Sequence, residues 1–180
     1  MKPNLLLILL IFSIISCQRN ENRTTSTDVK ISNIDTSKIA IIEYDPTDKF
    51  RARTFQNGAN ATLKNEDLTI IEQALDRVIQ KQNPRQIENF REASQNYPKE
   101  NFKVQDFIIH KESYKRQYIV IENSKGEKEV YVNMFCNDGQ IYTNWKKKLI
   151  YAHGGGSCFF NFKLNLNSKK YYNVYFNSEA

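Results

Sequence analysis

The sequence predicts an α+β domain in which one main amphipathic helix packs on a curved antiparallel β-sheet. The first observation is a single apolar stripe at helical spacing between Leu68 and Ile79. The second is a series of strand-like runs, separated by polar turn segments, from about residue 105 onwards. A chain of 180 residues with no visible internal repeat fits one such domain and a tether.

The folded domain, residues 38–180, is expected to begin where the composition changes. Residues 39–44 are mostly β-branched or aromatic and predict a first strand, which Asp45-Pro46-Thr47-Asp48 ends with turn residues. Residues 49–55 are predicted as a second short strand, and residues 57–60 as a turn.

The main helix follows this turn. Its apolar stripe consists of Leu68, Ile71, Leu75, Val78 and Ile79. Asn65 can cap the first turn, and the opposite face, which includes Glu72 and Asp76, is expected to meet water. Pro84 suits the first position of a second, shorter helix, which we expect to run to about Ala93.

The remaining chain predicts three pairs of strands. Residues 118–122 and 129–135 flank a polar loop containing Gly126, which is typical of a β-hairpin. Residues 147–152 and 158–166 flank a triple-glycine turn, and residues 160–176 contain the last pair. Alternation predicts one buried face, made of Phe160, Phe162, Leu164, Leu166, Tyr172, Val174 and Phe176.

The charge balance is mildly basic and spread along the chain. There are 26 Lys+Arg against 20 Asp+Glu, a net charge of +6. The clusters Lys146-Lys147-Lys148 and Lys169-Lys170 are shorter than the basic block of about five to eight residues typical of a nucleic-acid arm. Nucleic acid is therefore not an expected partner.

The first seventeen residues predict a targeting segment. A charged start is followed by an apolar run, Leu5 to Ile15, which is too short to span a bilayer because that takes about twenty residues. Ile14-Ile15-Ser16-Cys17 resembles the lipobox of bacterial lipoproteins. The resemblance implies a signal peptide over residues 1–16, lipidation of Cys17, a polar tether over residues 17–37, and membrane attachment in the cell envelope.

Gln18-Arg19 lacks an Asp after the lipidated cysteine and so favours the outer membrane by the same resemblance. The alternative is an ordinary secretory signal that happens to precede a cysteine.

Lipidation of Cys17 would leave two cysteines, Cys136 and Cys158, in an oxidising compartment. A disulfide between them is the expected state. The alternative, a catalytic thiol paired with His110 or His153, lacks an activating motif.

The order of elements, a helix followed by an antiparallel meander, resembles the cystatin-like and NTF2-like families. The inhibitory loop motif of cystatins is not present, since its nearest counterpart, residues 117–121, lacks the glycine. The run Tyr114 to Tyr118, the Lys-Gly-Glu-Lys turn, the Trp145-Lys146-Lys147 segment and the closing Cys-Phe-Phe-Asn strand also resemble small Bacteroidota lipoproteins. This resemblance implies an envelope location and no particular activity.

No residue pattern predicts a catalytic, metal or cofactor site. His110 and His153 lack the spacing of metal ligands, and the glycines at 154–156 precede a strand rather than a helix, so a phosphate loop is not favoured. The aromatic residues Tyr131, Phe135, Phe159, Tyr171 and Tyr175 fall on the opposite strand parity from the core. They predict either a second buried layer or an exposed surface for a glycan or peptide.

Two functions therefore stay open at this stage. One is a non-enzymatic binding or structural module of the envelope, with a protein or glycan partner. The other is a pocket-containing NTF2-like ligand-binding protein or enzyme, with acids such as Glu43 in the cavity.

Overall fold

A computed structural model of the chain describes residues 34–55, 58–136 and 142–178. The predicted signal peptide, Cys17 and the tether up to residue 33 lie outside the described residues. The described elements, in chain order, are β1 (Ile39–Ile41), α1 (Lys49–Thr54), β2 (Ala59–Asn60), α2 (Asn65–Asn96), α3 (Val104–Phe107), β3 (Tyr114–Glu122), β4 (Lys128–Cys136), β5 (Phe159–Asn165) and β6 (Lys170–Phe176).

The predicted α+β class, a long helix on a sheet, is confirmed. The sheet has the order β1-β3-β4-β5-β6, with β2 also pairing with β3. It is mixed rather than antiparallel throughout, because β1 runs parallel to β3. Parallel neighbours need a long crossover connection, and the segment that contains α1, β2 and α2 supplies it.

The helix α2 packs its apolar stripe on one face of the sheet, as predicted. Ile71, Ala74 and Leu75 are fully buried, and Val78 is 2% exposed. They share a cluster with the inward residues of β3, β4 and β5, among them the fully buried Phe160 and Phe162. This face is a close-packed core.

The prediction of a separate helix from Pro84 is wrong, because α2 continues through Pro84 to Asn96. An interior proline costs about 3 kcal/mol in a helix, so tertiary contacts must offset it. The Asn83 amide bonds both backbone groups of Ile109, with an N···Oδ1 distance of 2.9 Å. Two turns further on, the Phe90 ring packs edge-on against Phe107 at 5.5 Å.

The opposite face of the sheet, which we call the second face, carries a second buried cluster that includes Phe55, Tyr131, Phe135 and Trp145. Two segments cover it, and residues 49–55 and 147–152 within them are predicted as strands from the sequence. Residues 49–55 contain α1 instead, because the Asp48 carboxylate caps a helix by accepting from Phe50 N at 3.1 Å and Arg51 N at 2.9 Å. Residues 142–153, here called the covering loop, contain no strand.

Two of the three predicted strand pairs are confirmed, as β3–β4 and β5–β6, and the predicted inward face of β5 is buried. The third pair is wrong, because residues 147–152 form no strand. The parity predicted for β6 is wrong for Tyr171, Tyr172 and Val174, and it is right for Tyr175 and Phe176 at the end of the strand. Asn173 has a φ of +52°, and the β5–β6 register shifts at that point. A bulge of this kind sends neighbouring side chains to opposite faces. Tyr171 and Phe176 therefore pack on the helix side, whereas Tyr172 is 37% exposed and Val174 is 40% exposed.

The predicted disulfide is confirmed: Cys136 and Cys158 are bonded, with a Cα–Cα distance of 5.0 Å. It joins the end of β4 to the residue before β5 and so closes the segment that contains the covering loop. Within the described ranges, no helix combines the length and the apolar character needed to cross a bilayer.

Candidate functional site

The strongest candidate site is a pocket on the second face, where the cover over the sheet stops. It has a volume of about 590 Å³, inside the range of roughly 300–1,000 Å³ typical of small-ligand pockets. We call it the aromatic pocket. Its lining residues are Phe50, Tyr131, Asn133, Ile150, Tyr151, Ala152, His153, Phe159, Asn161, Tyr175 and Asn177.

The α1 helix supplies one wall of the aromatic pocket through Phe50. The Asp48 cap fixes the first turn, and Arg51 Nη1 ties α1 to the backbone by donating to Glu43 O at 2.7 Å. The Phe50 ring then packs edge-on against Tyr151 at 4.5 Å and against Tyr131 at 5.8 Å. These aromatic rings from α1, β4 and the covering loop form one continuous apolar corner.

The covering loop is held by a buried glutamine rather than by strand pairing. Gln117 is fully buried in β3. Its Nε2 donates to Trp145 O and, at 2.7 Å, to Lys148 O, while its Oε1 accepts from Ile150 N at 2.8 Å and from Asn133 Nδ2 at 3.1 Å. Buried backbone groups need such partners. Gln117 therefore fixes the loop that carries the pocket residues 150–153.

Two asparagines of the pocket complete this attachment. Asn133 Nδ2 donates to Ile150 O at 3.0 Å, and Asn177 Nδ2 donates to Ala152 O at 2.7 Å and to Gly154 O at 3.0 Å. Because both amides hold the loop through nitrogen, their Oδ1 atoms remain as acceptors.

The glycine turn after the covering loop places Phe159 in the pocket wall. Gly155 has a φ of +86°, and a Cβ at this position would lie 2.8 Å from the Phe159 ring. Glycine is therefore required both by the backbone conformation and by the close approach of the ring. The run at 154–156 acts as a tight turn, and it leads into a short 3₁₀ helix at Gly156–Cys158.

Several polar groups of the pocket are left for a ligand. Within the described residues, the Asn161 amide, the Tyr131 hydroxyl and the His153 imidazole have no hydrogen-bond partner. Burial raises the pKa of Tyr131 well above its ordinary value and that of Tyr151 to about 12. Both hydroxyls are therefore neutral at physiological pH and can donate a hydrogen bond.

The aromatic residues predicted from strand parity divide between a second buried layer and an exposed surface. Tyr131 and Phe135 belong to a buried second layer, at 5% and 0% exposure, although Tyr131 also lines the pocket. Phe159 lines the pocket, and Tyr175 lines it while being 57% exposed. Tyr171 lies on the helix side because of the bulge.

Other sequence candidates are not part of this pocket. Glu43 is exposed and outside the lining, and His110 is exposed beside β3. In the described ranges no group of three or more His, Cys, Asp or Glu side chains is placed to hold a metal ion. The lining contains the imidazole of His153 and the hydroxyls of Tyr131, Tyr151 and Tyr175, and it contains no carboxylate or thiol.

Phe50 and Gln117 were missed from the sequence. Asp48, two residues before Phe50, is a helix-cap signal, but it also fits the turn predicted over residues 45–48. Gln117 is a polar residue directly before the buried apolar run at 118–121 of β3, and this position was a signal for a buried hydrogen-bonding role.

No protein-family model, curated protein or solved structure matches this chain. The resemblance in element order to the cystatin-like and NTF2-like families stays an expectation from the sequence.

Proposed function

We propose that the protein is an envelope lipoprotein, anchored through Cys17, whose domain binds a glycan in the aromatic pocket without chemically changing it. The observation that carries the binding proposal is the combination of exposed aromatic rings with side-chain amides in one pocket. Tyr151 is 48% exposed and Tyr175 is 57% exposed, and both line the pocket beside Asn161.

This combination matches the chemistry of a sugar. A pyranose has an apolar face of C–H groups, which packs well on an aromatic ring, and a rim of hydroxyls, which both donate and accept hydrogen bonds. The Asn161 amide and the Tyr131 hydroxyl can do both, and the Oδ1 atoms of Asn133 and Asn177 can accept.

Binding is tested with the full chain on an array of neutral and acidic oligosaccharides, followed by titration calorimetry with those it captures. Tyr151→Ala and Tyr175→Ala should each weaken binding by about tenfold, as expected for the loss of one stacked ring. Tyr97→Ala is the matched control, because Tyr97 is 62% exposed and lies outside the pocket. Capture of no glycan, or an equal loss in the Tyr97 variant, would contradict the proposal.

The anchor is tested separately. Intact-mass analysis of the membrane fraction should give residues 17–180 with acyl chains on Cys17, and the Cys17→Ser variant should leave the membrane fraction. A mature chain that starts at another residue, or a serine variant that still partitions with membranes, would refute the lipoprotein assignment.

A further inference from the structure

A second cavity lies directly beside the aromatic pocket on the same face of the sheet. It has a volume of about 250 Å³ and is lined by Arg53, Thr54, Phe55, Ile121, Asn123, Glu129 and Lys163. We call it the basic cleft. Lys163 of the cleft and Tyr131 of the pocket are direct cross-strand partners in the β4–β5 register. The two cavities are therefore neighbours, separated by one pair of side chains.

The helix α1 borders both cavities. Phe50 lines the aromatic pocket, and Arg53, three positions further along the helix, lines the basic cleft. Residues three apart lie on the same side of a helix, separated by about one turn. A ligand longer than one sugar ring can therefore follow α1 from the pocket into the cleft.

The basic cleft has an excess of positive charge. Lys163 Nζ donates to Thr54 O and lies 5.2 Å from the centre of the Phe55 ring, with no carboxylate within 4.0 Å among the described residues. Arg53 is exposed, and among the described residues it makes neither an ion pair nor a hydrogen bond. Other buried or half-buried cations, such as Arg51 and Lys128, do have carboxylate partners.

The one carboxylate of the cleft is already occupied. Glu129 Oε1 accepts from Asn123 Nδ2 at 2.9 Å, and its Oε2 accepts from the Tyr172 hydroxyl at 2.9 Å. Burial lowers the pKa of Lys163 from its ordinary value, and the more distant Glu129 charge only partly opposes this. A bound anion would compensate for that lost solvation, because a charge-assisted hydrogen bond is strongest where water is excluded.

We infer that the ligand is an acidic oligosaccharide, with a sugar ring in the aromatic pocket and an anionic substituent in the basic cleft against Lys163 and Arg53. The inference rests on the proposed glycan-binding function and specifies its ligand class. The lining of the aromatic pocket has no Lys or Arg, whereas the basic cleft has both, so we assign selection for the anion to the cleft.

The test compares oligogalacturonate with its methyl ester, in which the same sugar chain has no charge, and a sulfated galactan oligosaccharide with its desulfated form. Calorimetry on the full chain should give tighter binding for the acidic member of a pair, with an affinity that falls as salt is raised. The carboxylate and sulfate pairs distinguish the two sources of negative charge, and preference for either acidic form supports the inference.

Lys163→Gln and Arg53→Gln should each weaken binding of the acidic probe about tenfold, the value of one charge-assisted hydrogen bond at a partly exposed site. They should leave binding of the neutral probe unchanged. Lys163→Arg should retain affinity, and Lys81→Gln, an exposed lysine on α2, is the matched control. Melting curves identify any variant that fails to fold, in which case Arg53→Gln, at an exposed position, decides.

The outcomes separate the two levels of the proposal. Equal binding of neutral and acidic probes, with no effect of the two glutamine variants, overturns the acidic ligand and leaves glycan binding intact. Binding of neither probe type, together with capture of no glycan on the oligosaccharide array, overturns the glycan-binding function itself.

Discussion

Glu72 provides a sharp test of the fold, because the sequence places it on the polar face of α2, whereas in the structure it is half-buried in an ion pair with the buried Arg116. Its carboxylate bonds Arg116 Nη1 in β3, and the two side chains are 15% and 9% exposed. Lys111 Nζ lies 3.3 Å from the other oxygen of Glu72. The expectation that this face meets only water is therefore wrong at Glu72.

Glu72→Ala should lower the free energy of unfolding by about 3 kcal/mol. Removing one partner of a buried pair costs about 3–5 kcal/mol, and the lower end applies because the Glu72 side chain is 15% exposed. Arg116 would then keep only a bond at 3.5 Å to the Lys111 carbonyl oxygen, and its Nε is already buried without a partner among the described residues. Alanine favours the helix, so the loss does not come from helix propensity.

Asp76→Ala is the matched control, one turn along the same helix. Asp76 also bonds Lys111, at 2.5 Å, but its side chain is 59% exposed. An exposed pair contributes at most about 1 kcal/mol, so this variant should change stability by about 0.5 kcal/mol or less. Urea unfolding of both variants, with equal m-values, gives the comparison.

A double-mutant cycle with Arg116→Met completes the test. If the pair is coupled, the double variant should lose clearly less than the sum of the single variants, because no buried charge is then left alone. Additive losses, or a Glu72→Ala variant as stable as Asp76→Ala, would mean that Glu72 is solvated and that α2 does not dock on β3 in this way.

Three further predictions concern the core, the disulfide and alkaline pH. Leu75 is fully buried, so Leu75→Ala should lower the free energy of unfolding in urea by about 2–5 kcal/mol. Ile41→Ala, at a position that is 54% exposed, should change it by no more than about 0.5 kcal/mol. Equal losses would place the helix stripe outside the core. Reducing the Cys136–Cys158 bond should lower the melting midpoint by several degrees, corresponding to about 2–3 kcal/mol, and an unchanged midpoint would mean that the covering loop is held without it. Burial raises the pKa of Tyr114 to about 12, whereas an unfolded tyrosine titrates near pH 10. The folded state therefore keeps a proton that the unfolded state releases, so stability is at its full value below about pH 10 and falls as the pH rises towards 12. Tyr114→Phe should make this alkaline loss less steep, and an identical slope would contradict the assignment.

The parts of the fold that sequence predicted correctly depend on local periodicity. The α2 stripe and the β3–β4 hairpin are each encoded within one continuous segment, so spacing and turn residues were sufficient. The errors have non-local or single-residue causes. Pro84 stays inside α2 because Asn83 and Phe90 make tertiary contacts, and the face of β6 changes at Asn173 through one left-handed residue.

The aromatic pocket was only half predictable for a similar reason. The aromatic residues of β4, β5 and β6 are recognised by their parity. The walls formed by α1 and the covering loop are not, because residues 49–55 and 147–152 are predicted as strands. The covering loop takes its shape from Gln117, which lies at least 25 positions earlier in the sequence. No local pattern in residues 142–153 encodes that contact.

The two faces of the sheet differ in how completely they are closed, and this difference accounts for the position of the site. On the helix side, α2 covers the strands with a continuous apolar stripe and leaves fully buried side chains. On the second face, the cover is a short helix and a loop held by Gln117 and the disulfide, and it ends before β6. Tyr175 and Val174 consequently remain exposed, at 57% and 40%. The same loop covers the core and forms the pocket wall. Gln117→Leu removes the hydrogen-bond partners of the loop backbone, so it should weaken ligand binding and lower the free energy of unfolding together.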